Sequence, residues 1–181
     1  VEGDDTLVVF GQRLDPEAAA KAKDWTITSK DDKSFGRQSA VAAWRKSKPM
    51  NTDNTLTSKL DHWIFLQLPK SMKQGSVYTV SIPEGIGADA AKAEVKFDIW
   101  SSVSEAVHVN IIGYSPEEET KAADLYLWLG DGGQRDYTSF EGKNVWLYNT
   151  GTGKKQKVGK VSFWMKATES EKEANRKNMT G

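Results

Sequence analysis

Asp61 and His62 stand side by side in the chain, and a carboxylate that orients an imidazole is the usual way to make a general base. In a β-strand, however, neighbouring side chains point to opposite faces, so an extended backbone at this point keeps the two apart. His108, the other histidine, lies in a strand-like run. Neither histidine has a candidate nucleophile beside it in a recognisable pattern, so both are expected to be structural. Gly85-Ile-Gly-Ala-Asp-Ala90 has the glycine spacing of a dinucleotide loop, yet no crossover helix and parallel strand of the required length follow, and a turn explains it better. Gly151-Thr-Gly-Lys-Lys155 has the look of a phosphate loop, but the upstream glycine such a loop needs would fall at Tyr148, which leaves a Lys-rich hairpin tip. Asp131-Gly-Gly-Gln-Arg-Asp136 offers oxygen ligands to a hard cation without the alternating carboxylate spacing of a calcium loop, and reads as a solvated turn. Glu117-Glu-Glu119 is a charged turn after Pro116. Acids are plentiful, but nothing in the pattern places two of them across a cleft as glycoside hydrolysis requires. No catalytic residue, metal ligand or cofactor is therefore assigned.

Aromatic spacing says more. In Leu125-Tyr-Leu-Trp-Leu129 a strand would carry Leu125, Leu127 and Leu129 on one face and Tyr126 and Trp128 on the other. Val145-Trp-Leu-Tyr148 repeats the pattern with Trp146, and Val161-Ser-Phe-Trp-Met165 does so with Trp164. A freely solvated sheet face would be polar, so the Trp-bearing face is expected to be covered. Packing against a neighbouring module or another domain is the favoured reading, because large apolar patches mark protein contacts. A platform that stacks sugar rings is the alternative, and it would make Trp128, Trp146 and Trp164 the ligand-binding residues.

The elements that must position these groups are short and β-rich. Thr6–Phe10, Trp25–Thr28, Ala40–Arg45, Trp63–Leu68, Val77–Ile82 and Val95–Trp100 read as strands of a first half, with Trp63–Leu68 and Val77–Ile82 joined as a hairpin through Pro69 and Gly75. Asp15-Pro-Glu-Ala-Ala-Ala-Lys-Ala-Lys23 reads as one helix, capped by Asp15 with Pro16 at its first position. The polar stretch Ser101–Ala106 is the one boundary. Beyond it Val107–Ile112, Ala122–Leu129, Val145–Tyr148 and Lys160–Met165 read as strands, the last two joined by Asn149-Thr-Gly-Thr-Gly-Lys154. From Thr168 the chain is highly charged and reads as loop or tail.

Composition narrows the classes. The 181 residues are 38% hydrophobic and 28% charged, a globular mixture. Lys+Arg and Asp+Glu number 25 each, so no overall field draws nucleic acid or an anionic membrane, and no apolar run reaches the roughly 20 residues of a membrane span. With no Cys, disulfides and thiolate chemistry are excluded. Seven Trp is high for a chain of this size and supplies either buried bulk or stacking faces.

Val107-His-Val-Asn-Ile-Ile-Gly-Tyr-Ser-Pro116, followed by the Lys121-Ala122 strand entry and the Tyr148-Asn-Thr-Gly-Thr-Gly153 hairpin, resembles the immunoglobulin-like domain that precedes the catalytic domain in many bacterial family 9 cellulases. There the opening strand is of the type (Ile/Val)-x-Val-Asn-Gln-(Val/Ile/Leu)-Gly-Tyr-x-Pro. Ile111 stands where that family usually has Gln. The resemblance covers about residues 104–181. Arg45-Lys-Ser-Lys-Pro49 and Leu68-Pro-x-x-x-Lys-x-Gly75-x-x-Tyr78 are similar to segments of an extra β-sandwich found before that domain in some environmental bacterial proteins. The family's catalytic residues lie far downstream of the matched region, and none is carried over.

The expectation is an all-β chain of two tandem immunoglobulin-like sandwiches. One spans residues 1–103, and the other, 104–181, lacks its last strands, including one of the type Pro-Gly-Thr-Tyr-Arg. The resemblance implies a non-catalytic accessory region of a secreted or cell-surface bacterial glycoside hydrolase, read here without its signal peptide. It would stabilise or position a catalytic domain that this chain does not contain. The alternatives are a stand-alone glycan-binding module and a cell-surface assembly component whose sandwich a partner strand completes.

Overall fold

The computed structural model describes residues 1–55 and 58–164. The protein is all-β: its strands form several antiparallel sheets, and among the described residues helix is confined to a few short turns. Two compact units are present. The first comprises Val1–Ser104 with Leu129–Gly132, and the second Glu105–Trp128 with Gly133–Gly181.

Seven strands build the first unit: β1 (Thr6–Gln12), β2 (Thr26–Ser29), β3 (Arg37–Ser39), β4 (Ala42–Thr52), β5 (Ser58–Gln67), β6 (Val77–Ser81) and β7 (Lys92–Lys96). One sheet has the order β1-β5-β4 and the other β3-β2-β6-β7. If β1 is taken as strand B of an immunoglobulin sandwich, these orders become B-E-D and C′-C-F-G, which is the immunoglobulin arrangement without its first strand. The period-2 pattern explains which faces meet. Leu7 pairs with Leu66 and Val9 with Ile64 on one face of the first sheet, while Ile27 pairs with Val80 in the second. Leu7, Ile64, Leu66, Ile27, Tyr78 and Val80 join Trp25, Phe35, Met72, Ile86 and Phe97 in a single apolar core.

Two fully buried aromatic residues tie loops to the core of this sandwich. Trp25, just ahead of β2, is fully buried and donates its indole N–H to the Ala19 carbonyl at 2.8 Å. Tyr78, near the start of β6, is also fully buried; its hydroxyl accepts from the Lys73 N–H at 2.7 Å and donates to Asp32 Oδ2 at 2.7 Å. A tyrosine at this place, bonded to backbone a few residues upstream, is the tyrosine corner of immunoglobulin folds. Burial pushes its phenol up to about 12, with the neighbouring Asp32 adding to the shift and the Lys73 hydrogen bond opposing it. Asp32 is held below the ordinary carboxylate range, first by the Ser34 side chain and then by Tyr78. Tyr78→Phe leaves the buried Asp32 carboxylate and the Lys73 N–H without the hydroxyl and is expected to cost about 1–3 kcal/mol in a urea melt at pH 7. Because the folded phenol titrates above the unfolded one, the wild-type chain should also lose stability between pH 10 and about 12, and the variant should not share that loss.

The hairpin expected between Trp63–Leu68 and Val77–Ile82 does not form. β5 and β6 lie in different sheets, β5 between β1 and β4, β6 between β2 and β7. The intervening segment crosses from one sheet to the other, pinned by Leu68 N–H to Asp5 O (2.7 Å), Met72 N–H to Asp4 O (2.6 Å) and the Tyr78 hydroxyl. β3 has no apolar alternation and escapes sequence reading, and β7 falls at Lys92–Lys96 rather than Val95–Trp100. The helix is shorter than expected: Asp15 caps it by accepting from the N–H groups of Glu17 and Ala18, but it spans only Pro16–Ala19, with a 3-10 turn at Ala22–Asp24.

In the second unit, β8 (Val107–His108) pairs with β9 (Asp124–Leu125), and β10 (Asn144–Tyr148) with β11 (Lys155–Lys160). The run expected as one strand over Ala122–Leu129 is reduced to β9 and an isolated bridge from Trp128 to Gln134. The strand expected at Lys160–Met165 instead ends at Lys160, and Met165 lies outside the described residues. So does the charged segment from Thr168.

Candidate functional site

Strand pairing brings together a pair that no linear pattern shows. Ser47 on β4 lies directly opposite His62 on β5, and Ser47 Oγ is 2.8 Å from His62 Nδ1. The imidazole is buried and the serine exposed. Asp61 falls on the other face of β5, as alternation requires, so the carboxylate does not orient the ring. Burial lowers the proton affinity of His62, the nearby Arg45 lowers it further, and Asp61 partly opposes both. The neutral ring is thus a hydrogen-bond partner for Ser47. No sequence motif sets a nucleophile beside His62, and Ser47 reaches it only through strand register; a side-by-side pair in a regular ladder is no more than a cross-strand hydrogen bond. Its consequence is a pH effect. A histidine harder to protonate when folded withdraws stability as pH falls below the unfolded value of about 6.5. The urea midpoint should therefore drop between pH 7.5 and pH 5, and His62→Gln should shrink that drop.

Trp128, Trp146 and Trp164 are 47%, 48% and 77% exposed. The alternation expected around Trp128 holds: Leu127 and Leu129 are buried and Trp128 is not. Around Trp146 it fails. Leu147, expected on the aliphatic face with Val145, is 62% exposed, and Trp146, expected on a covered face, is 48% exposed; the register shift opposite Val145 and Trp146 places an extra residue, Val158, on β11. Trp164 lies past the end of β11 and has no strand face to share. The three rings therefore do not form one repeated sheet face.

The opening run of this unit is also explained locally. Asn110 Oδ1 accepts from the Ile112 N–H, Gly113 takes a positive φ of 97°, and its N–H bonds to the Asn110 carbonyl, closing a turn. The Tyr114 hydroxyl donates to the Ala122 carbonyl and accepts from the Asn110 N–H. The expected strand thus stops at His108 and gives way to a turn that leaves Ile111 98% and Ile112 92% exposed. His108 stacks on Tyr126 at 3.9 Å between centroids, the reading of a structural histidine.

The remaining loops resolve into turns. Gly85 and Gly87 have positive φ, Ile86 plugs the core, and its carbonyl accepts from the Asp15 N–H. Asn149 Oδ1 accepts from the N–H groups of Gly151 and Thr152, closing the β10–β11 hairpin. Asp131 Oδ1 accepts from the Arg45 N–H at 2.7 Å, and Asp136 Oδ1 from Thr138.

A further aromatic site, on the first unit, escaped the sequence reading. On the face of the β1-β5-β4 sheet turned away from the core, Phe10 lies opposite Trp63, their rings 5.0 Å apart and tilted by 54°. Lys46 Nζ is 5.4 Å from the Trp63 ring centre and 5.3 Å from that of Phe65, and Lys48 Nζ is 5.2 Å from Trp63. The clue was the period-2 placement of Trp63 and Phe65 opposite Ile64 and Leu66. No protein-family model matches this chain, and no curated protein or solved structure matches it significantly.

Proposed function

We propose that this chain is a non-catalytic accessory region of a secreted glycoside hydrolase of the family 9 kind, and that its second unit is a contact surface for the catalytic part of such a protein. The observation that carries the contact role is the nature of the exposed surface. Alongside Trp128, Trp146 and Trp164, the second unit exposes Val107, Val109, Ile111, Ile112, Leu147 and Val158. Flat rings can stack sugars, but branched aliphatic side chains offer a glycan little and gain chiefly when protein covers them. Burying them on a partner would recover about 25 cal/mol for each Å² of apolar surface removed from water. The link to hydrolases comes from the similarity of residues 104–181 to the immunoglobulin-like domain of family 9 cellulases, and the immunoglobulin strand order of the first unit is in keeping with it.

Affinity electrophoresis through gels containing a neutral soluble β-glucan tests the reading against the glycan-binding alternative. The wild-type chain is expected to migrate unretarded and to release no reducing sugar from the polymer. Retardation that Trp128→Ala together with Trp146→Ala abolishes, with the melting temperature unchanged, would replace the contact surface by a sugar platform. Release of reducing sugar by the purified chain would overturn the accessory role itself.

A further inference from the structure

We infer that the outer face of the β1-β5-β4 sheet, where Phe10 and Trp63 meet Lys46 and Lys48, is a binding strip for a carboxylate-bearing polysaccharide. The inference stands on the first unit alone and does not rest on the function proposed for the second. Three observations carry it.

The first is the shape of the support. β4 and β5 run on as a two-stranded arm beyond the point where β1 stops pairing, at Asp61, and continue to Thr52 opposite Ser58. Residues 47–52 and 58–60 are exposed. A bare hairpin of this kind would ordinarily invite another strand. Pro49, which lacks an N–H, and the register shift between Pro49 and Asn51 both work against strand addition on the β4 side. What the arm offers is therefore a face rather than an edge.

The second is the charge on that face. Alternation places Lys46, Lys48 and Lys59 on the side of Trp63; Asp61 and Phe65 share that face of β5 but are buried, so the open part of the face is the end that carries Phe10, Lys48 and Lys59. An anion therefore meets complementary charge on a chain whose overall charge is zero.

The third is preorganisation. Lys46 and Lys48 hold their ammonium groups 5.2–5.4 Å from aromatic ring centres, within the range of a cation–π contact. A lysine already held over a ring has less rotamer freedom left to lose when an anion arrives. Phe10 is 53% exposed and supplies an apolar surface for the C–H face of a sugar ring beside those cations. Carboxylates for the lysines and an apolar ring face for Phe10 and Trp63 are together the chemistry of a uronic acid polymer.

Affinity electrophoresis in gels containing polygalacturonate tests the assignment, with a neutral β-glucan gel and a duplex DNA gel-shift as comparisons. The wild-type chain is expected to be retarded by polygalacturonate, to run freely through the neutral glucan and to leave the DNA unshifted. The retardation should weaken as salt is raised. Lys46→Gln with Lys48→Gln should lower the affinity at least tenfold, and Phe10→Ala severalfold. Both sets of changes lie at exposed or half-exposed positions, and a thermal melt checks that each variant stays folded. No retardation by polygalacturonate, retardation that survives the double lysine change, or an equally strong shift of DNA would each overturn the proposal.

Discussion

Replacing Trp25 by alanine is expected to destabilise the first unit by about 3–5 kcal/mol, the range for removing a large aromatic side chain from a close-packed core. The site has no way to relax cheaply. Trp25 is fully buried and belongs to the same core as Ile27, Phe35, Tyr78 and Phe97, contributed by strands and loops from both sheets. The indole also bonds the carbonyl of Ala19, itself fully buried at the end of the short helix, so alanine leaves both a void and an acceptor without its donor. With no cysteine available, no cross-link offsets the loss. For a domain of about 100 residues the cost corresponds to a fall in melting temperature of roughly 15–30 °C, against a total stability of about 5–15 kcal/mol. Scanning calorimetry of the purified chain reads it directly. Trp25→Phe separates the two contributions, because it keeps most of the bulk and loses the hydrogen bond, and should cost clearly less. A fall of only a few degrees for Trp25→Ala would mean that the two sheets do not pack through this residue.

The parts of the fold that were legible in the sequence are those marked by burial on one side. β6 buries every second residue, and β1 and β5 carry the continuous apolar runs Leu7–Phe10 and Trp63–Leu66, so the existence of these strands could be read from the chain. What was not legible depends on partners distant in the chain. The arm of β4 and β5 is built from Lys48, Asn51, Thr52 and Ser58, which carry no hydrophobic signal because nothing buries them. Nearness in sequence favoured a hairpin between Trp63–Leu68 and Val77–Ile82, yet Tyr78 and the bonds of Leu68 and Met72 carry the chain across to the other sheet. Ser47 meets His62 only through the register of strands whose facing residues are 15 positions apart. The Phe10–Trp63 pair likewise needs β1 and β5 to be neighbours, which their separation of some fifty residues conceals. Opposite Trp146 the extra residue Val158 shifts the register of β11, which no pattern in the chain announces.

Gly130→Ala is the second large effect expected, and it acts through backbone rather than core. Gly130-Asp131-Gly132 belongs to the first unit and lies against β4, which among the described residues has β5 as its one strand neighbour. Asp131 takes the Arg45 N–H on that strand's open side. A Cβ on Gly130 would stand 1.9 Å from the Arg45 carbonyl oxygen, 2.4 Å from its carbon and 2.7 Å from the Lys46 nitrogen. All three are backbone atoms, so no side chain can swing aside, and the segment must lift off the strand. Gly130 also has a φ of +75°, a conformation that costs an L-residue about 1–2 kcal/mol on its own. Gly133→Ala is the control: its φ is +73° and nothing lies within 4 Å of the added carbon, so it meets the conformational cost alone. Gly130→Ala should therefore cost at least about 3 kcal/mol and exceed Gly133→Ala by a clear margin. Hydrogen exchange at the Arg45 amide should accelerate in Gly130→Ala and stay slow in Gly133→Ala, because only the first change pulls Asp131 away from its donor. Equal costs for the two substitutions would show that the segment does not rest on β4 in solution, and the glycine would then be there for its φ alone.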